Sequence, residues 1–152
     1  MSKPRYRWWI YVKNTIRAYP THKQNLEEMH RMPVTSSASG MPGSPGGVNR
    51  RTEDIALRQL PPQDQREYDA VQKAVNATKA MQTGQERLQI ISLVFWKKSH
   101  TLDGAAMKVN VSASTAAAYH WEFIMMVGFF LGFISQDELN EEIRKRRMRT
   151  PV

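Results

Sequence analysis

Residues 101–132 read TLDGAAMKVNVSASTAAAYHWEFIMMVGFFLG, and helix signals occur there in a definite order. Thr101 can cap a short helix over residues 102–109, because its hydroxyl can accept an otherwise unpaired first-turn N–H. Asn110 comes next, one of the few non-glycine residues that tolerates the left-handed backbone of a tight turn. Ser112 can then cap a second helix that starts near Ala113 and runs on towards Leu131. Two helices joined by a turn of about three or four residues make a helix-turn-helix, here over residues 101–121. Its two helices cross steeply over a small contact and need small or apolar residues there. Ala105 and Ala106 allow close approach, Val109 and Val111 flank the turn, and Ala116 and Tyr119 complete the inward face. An ordinary helical hairpin inside a core would show the same pattern.

Working outward, the spacing predicts helices throughout. Trp8, Trp9, Val12, Ile16 and Tyr19 recur at helical intervals over residues 5–18, with Pro20 expected to break the helix and residues 21–31 to form another. Residues 33–52 (PVTSSASGMPGSPGGVNRRT) contain 11 Gly, Pro or Ser among 20, too little apolar surface to offset chain entropy, and are expected to form a flexible linker. Thr52 can cap a short helix that Pro61 and Pro62 end. A longer helix is expected from about Gln63 to Ala80, with Tyr68, Val71, Val75 and Thr78 on one stripe. Gly84 interrupts it, and Leu88, Ile91, Val94 and Phe95 mark the next helix. No segment alternates convincingly as a strand. The fold class is therefore all-α: a small helical domain over residues 53–134, preceded by a basic helical arm (1–32) and the linker. It is followed by a basic helix or tail (135–152).

The chain has 152 residues, no cysteine and a net charge of +8. Without cysteine there is no thiol catalysis, iron–sulfur cluster or thiolate zinc site. The charge favours polyanionic partners, nucleic acid or an acidic membrane surface. It is unevenly spread: +5 over residues 1–32, +2 over 33–52, −1 over 53–83, and +1 each over 84–134 and 135–152. No secretory leader is expected at the start of the chain.

Several residues carry a sharper and a blander possibility. The arm (KPRYRWWIYVKNTIR) mixes bases with aromatics, which could stack on unpaired bases, although Trp8, Trp9 and Tyr11 could equally anchor a helix to a core. The uncharged run from Phe123 to Ile134 (FIMMVGFFLGFI) is too short to span a membrane. It is expected to be the buried rear of the second motif helix, or a homodimer surface through Phe129 and Phe130. Ser135 and Glu138 match a capping box opening a helix that ends in RKRRMR. His22, His30, His100 and His120 lack metal-ligand spacing, and no phosphate-cradling loop or acid/base pair is present, so no catalytic residue, metal or cofactor is expected.

The segments FWKKSHT, LDGAAMKVNVSASTAAAYHWEF and MMVGFFLG, with RYRWWIYVKNTIRAYP and YDAVQKAVNATKAMQTGQERLQII upstream, resemble the phage late transcriptional regulators of the RinA/ArpU type. That group resembles in turn the promoter-reading helix-turn-helix of sigma factors. The resemblance implies a DNA-binding activator of late genes in the bacterial cytoplasm, with double-stranded DNA and RNA polymerase as partners. It implies that the second motif helix enters the major groove, presenting Ser112, Ala113, Ser114, Ala117, Ala118 and Trp121, with Thr115 and His120 at the margins. That face lacks the Arg, Lys, Asn and Gln that make bidentate base contacts. Phosphate contacts have candidates in Lys97, Lys98, His100 and Lys108. A DNA-packaging recognition subunit of the small-terminase kind would share the motif, and a non-DNA interaction or membrane-surface protein built around residues 123–134 is the third possibility.

Overall fold

The computed structural model describes residues 6–31 and 59–149. The linker expected over residues 33–52 and most of the short helix expected from Thr52 lie outside the described residues. Those described form six α-helices and no strand, in agreement with the all-α expectation. They are α1 (Trp9–Arg31), α2 (Pro62–Lys79), α3 (Gly84–Ile91), α4 (Leu102–Val109), α5 (Ala113–Phe130) and α6 (Gln136–Arg149), with a π turn (Ser92–Trp96) continuing α3.

Helix α5 is the hub. Every residue from Glu122 to Gly128 is buried, so this half of the helix has no solvent face. An α-helix apolar on all sides must be surrounded, and α5 touches each of the other five helices. The main core joins Val12, Ile16 and Tyr19 of α1, Val71, Ala74 and Val75 of α2, and Ile91 and Phe95 to Phe123, Ile124 and Val127 of α5. Each large side chain buried there contributes roughly 1.5–3 kcal/mol. A smaller cluster, Met125 with Ile134 and Leu139, seats α6. The basic N-terminal segment is thus helical as expected, and it packs into this core rather than standing off from it.

Its aromatics serve that packing. Trp8 lies across Gly128 of α5 so closely that a Cβ there would come within 2.8 Å of the indole, which explains the glycine in an otherwise bulky run. Trp8 also stacks on Phe133 with ring centroids 5.7 Å apart. The Tyr11 hydroxyl donates to Glu67 on α2. Stacking of Trp8 and Trp9 on unpaired bases, one possibility for the arm, has no support in this arrangement.

The break expected at Pro20 is absent, and α1 continues for 23 residues through it. An interior proline removes the N–H that would bond the carbonyl four residues earlier and costs about 3 kcal/mol. That carbonyl belongs to Ile16, and the indole Nε1–H of Trp96 donates to it at 2.9 Å. The missing intrahelical bond is replaced by a tertiary one, while buried Val12, Ile16 and Tyr19 hold the helix against the core. Trp96 sits at the end of the π turn, where Lys97 N–H donates to Ser92 O at 2.7 Å.

A partly buried ion pair links α3 and α5. Arg87 donates to Glu122 at 2.5 Å, its guanidinium lies 4.4 Å from the Tyr119 ring centroid, and its Nε–H bonds Thr83 Oγ1. One arginine therefore reaches both the hub of the core and the inward face of the helix-turn-helix.

The Trp96–Ile16 bond makes a measurable prediction. Trp96→Phe should lose about 1–3 kcal/mol in urea unfolding because it leaves a buried carbonyl unpaired. In a Pro20→Ala background, where residue 20 regains its N–H, the loss should shrink by about 1 kcal/mol or more. Additivity of the two changes to within about 0.5 kcal/mol would show that they do not share the carbonyl.

Candidate nucleic-acid interface

The helix-turn-helix signals form as the sequence predicts. Gly104 N–H donates to Thr101 Oγ1 at 3.1 Å, capping α4. Asn110 adopts left-handed backbone (φ 66°, ψ 48°), and its own N–H and that of Val111 return to the end of α4. Thr115 N–H donates to Ser112 Oγ at 3.1 Å, capping α5. Ala105, Ala106, Ala116 and Tyr119 are buried together with Ile90, and Val109 and Val111 pack against them. Ile90 comes from α3, so the motif rests on a third helix.

The candidate contact residues separate into two groups. Ser112, Ala113 and Ser114 are exposed at the first turn of α5, and Thr115, Ala117 and Ala118 are half-exposed. The Ser112 hydroxyl is occupied by its cap and by a 2.7 Å bond to Thr115 Oγ1, so its local role is structural. Lys97, Lys98 and Lys108 are exposed, and Lys98 holds a left-handed turn conformation (φ 52°). His100 is half-buried with its Nδ1 paired to Ser99 Oγ.

Trp121, expected on the outward face, and His120, expected at its margin, form the second group and are half-buried against other elements. The His120 ring stacks flat on Phe95, 5.1 Å between centroids and 2° between planes. Burial, reinforced by Lys13, Arg17 and Arg146, pushes its pKa down to about 4, so the imidazole is neutral at pH 7. Trp121 packs against the cluster of Met125, Ile134 and Leu139, and the Arg146 guanidinium lies 5.0 Å from its ring centroid. Helices α1 and α6 therefore border α5 here, and its more open forward part ends near Ala118.

The same arrangement gathers charge that the sequence scatters. Lys13 and Arg17 from α1 and Arg146 from α6 all act on His120, in the middle of α5. Arg17 also approaches the Phe95 ring at 5.7 Å. Lys13 is held below the usual lysine range by burial and by neighbouring Arg17. A nearly uncharged helix is thereby flanked by cations from both ends of the chain. The i, i+4 spacing of Lys13 and Arg17 was visible in the sequence, but its destination was not.

The surface expected to form a homodimer is mostly used internally. Of residues 123–134, Phe123 to Gly128, Leu131 and Ile134 are buried within the chain, Phe129 and Phe130 are half-buried, and Phe133 is 43% exposed. The α5 hub uses most of these side chains itself, leaving Phe129 and Phe130 half-buried beside the exposed Phe133. Among the described residues no helix is long and apolar enough to cross a membrane. His22, for which sequence spacing offered no metal partner, comes close to Asp64 and Glu67 between α1 and α2. No family model, curated protein or solved structure matches the chain.

His120 gives this region a pH signature. The unfolded chain has an ordinary imidazole near 6.5 and binds more protons than the folded one between that pH and about 4. The stabilisation is complete above about pH 6.5 and is lost as pH falls towards 4, by about 3 kcal/mol at ~1.36 kcal/mol per pKa unit. His120→Phe keeps a ring against Phe95 without titrating, so its unfolding free energy should fall less between pH 7 and pH 4.5 than that of the parent. Equal pH dependence of the two proteins in urea titrations would mean that His120 is not held neutral.

Proposed function

We propose that this chain binds double-stranded DNA through residues 101–121 and acts as a phage-type transcription regulator, activating late genes through contact with RNA polymerase in the bacterial cytoplasm. The observation that carries the proposal is the two-helix unit with both caps made, Asn110 left-handed at the turn, and cations from α1 and α6 beside the second helix. The first turn of α5 would approach the duplex. Its leading N–H groups, which no helix can satisfy internally, suit a phosphate. Ser114 and Thr115 hydroxyls and the methyls of Ala113, Ala117 and Ala118 suit a major-groove floor and thymine methyls.

Affinity on this reading is mainly electrostatic. Lys97, Lys98 and Lys108 on the motif, with Lys13, Arg17 and Arg146 at its flank, would neutralise phosphates and orient the helix. Sequence preference would then come from DNA shape and from the polymerase as much as from base edges. Regulation through polymerase contact is compatible with such a modest reading face, because the partner supplies part of the specificity.

Gel-shift titrations against DNA upstream of the late operon, at two salt concentrations, test the proposal. Binding should weaken steeply with salt. Replacing Lys97, Lys98 and Lys108 with alanine should lower the slope of log K against log salt by about 0.9 for each phosphate that is no longer neutralised. Ser114→Glu with Thr115→Glu should reduce affinity at least tenfold while leaving the helix intact, since acids are favourable at a helix N-terminus. Absence of any shift at low salt, or a double variant that binds unchanged, would overturn it. A large closed ring in solution would point to packaging rather than regulation.

A further inference from the structure

Between α1 and α2, His22 faces two carboxylates that the helix-turn-helix does not use. Asp64 and Glu67 stand three residues apart, on one face of the first turns of α2, and His22 meets them from the second half of α1. One potential ligand atom from each of the three lies within 4.8 Å of the others. His22 Nε2 is 3.6 Å from Glu67 Oε2. That is too long for a hydrogen bond, yet two donors at about 2.1 Å from one tetrahedral ion are roughly 3.4 Å apart.

A second observation points to a ligand. The His22 side chain is 12% exposed, and both of its ring nitrogens are buried with no hydrogen-bond partner among the described residues. Buried polar atoms are almost always paired, so an orphaned imidazole aimed at a carboxylate calls for explanation. Glu67, meanwhile, is held as a ligand would be. Tyr11 Oη–H and the Gln63 amide both donate to Oε1, leaving Oε2 towards His22. Such outer hydrogen bonds orient metal-ligating carboxylates.

We propose that His22, Asp64 and Glu67 form a binding site for a divalent transition-metal cation, Zn2+ foremost, that clasps α1 to α2. One imidazole with two carboxylates is a borderline-to-hard donor set, which suits Zn2+, Co2+ or Mn2+ rather than a thiophilic ion. Three protein ligands leave a coordination position for water. The site stands independently of DNA binding.

The test uses the full chain after treatment with a chelator. Calorimetric titration with Zn2+ should show one equivalent bound with micromolar or tighter affinity, and Co2+ should produce visible d–d absorption. At a hundredfold excess over Kd the melting temperature should rise by about 5–10 °C. His22→Gln and Asp64→Asn should each weaken binding at least tenfold, with circular dichroism verifying that the metal-free variants fold. Asp64→Asn decides the matter if His22→Gln does not fold, since Asp64 is only half-buried at the start of α2. The absence of stoichiometric binding, or one equivalent bound equally well by the folded variants (an adventitious ion only, on His30 or His100), would overturn the proposal.

Discussion

Burial on every side of residues 122–128 governs the placement of everything else in this molecule. A helix with one apolar stripe needs one partner, whereas one without a solvent face needs a ring of them. That requirement draws α1 into the core beside α2, although a long stretch of chain separates them in sequence. It also divides α5 in two. The rear half is surrounded by the other helices, and the forward half begins with exposed Ser112, Ala113 and Ser114. Rigid attachment to a packed element in this way lowers the ordering cost of any contact the forward half makes.

Polar groups in this core act as register marks. Apolar packing alone tolerates sliding of one helix on another, but the Arg87–Glu122 pair forms only in one crossing of α3 and α5. The pair's net contribution to stability is small in general, since removing two charges from water offsets much of their attraction. Its geometry nevertheless fixes where Tyr119, and with it the inward face of the motif, sits relative to the hub. Tyr19 plays a comparable part between α1 and α2. Its hydroxyl donates to Gln72, and burial lifts its pKa to about 12, so it remains a neutral donor at any physiological pH.

What was legible in the sequence follows the range of the interactions. Thr101, Asn110 and Ser112 act within one turn of their own positions, and each takes the role its chemistry implies. Ala105, Ala106 and Ala116 likewise declare a close approach of helices through size alone. The continuation of α1 through Pro20 was not legible, because its cause is a donor 80 residues further along the chain from Ile16. The flanking of α5 by Lys13, Arg17 and Arg146 was hidden for the same reason, and so was the sequestering of His120 and Trp121. Each depends on which helices the hub recruits, and helical periodicity does not specify a partner. His22 shows the limit most plainly. Its neighbours Asp64 and Glu67 display a helical spacing of their own, but nothing local connects them to a histidine on another helix.

The meeting of Pro20 and Trp96 has a consequence for how such a chain can change over time. A proline inside a helix and a widened turn at the end of another are both faults when taken singly. Trp96 closes the π turn, and from there its indole reaches the carbonyl that the proline leaves without a partner. The two irregularities cancel, as a tooth fits a notch. The dependence runs one way, because losing Trp96 alone leaves the Ile16 carbonyl unpaired, whereas losing Pro20 alone restores an N–H and leaves the indole its acceptor. Replacement of Trp96 is therefore expected to follow or accompany replacement of Pro20, tying the histories of the first helix and of the segment that leads into the motif.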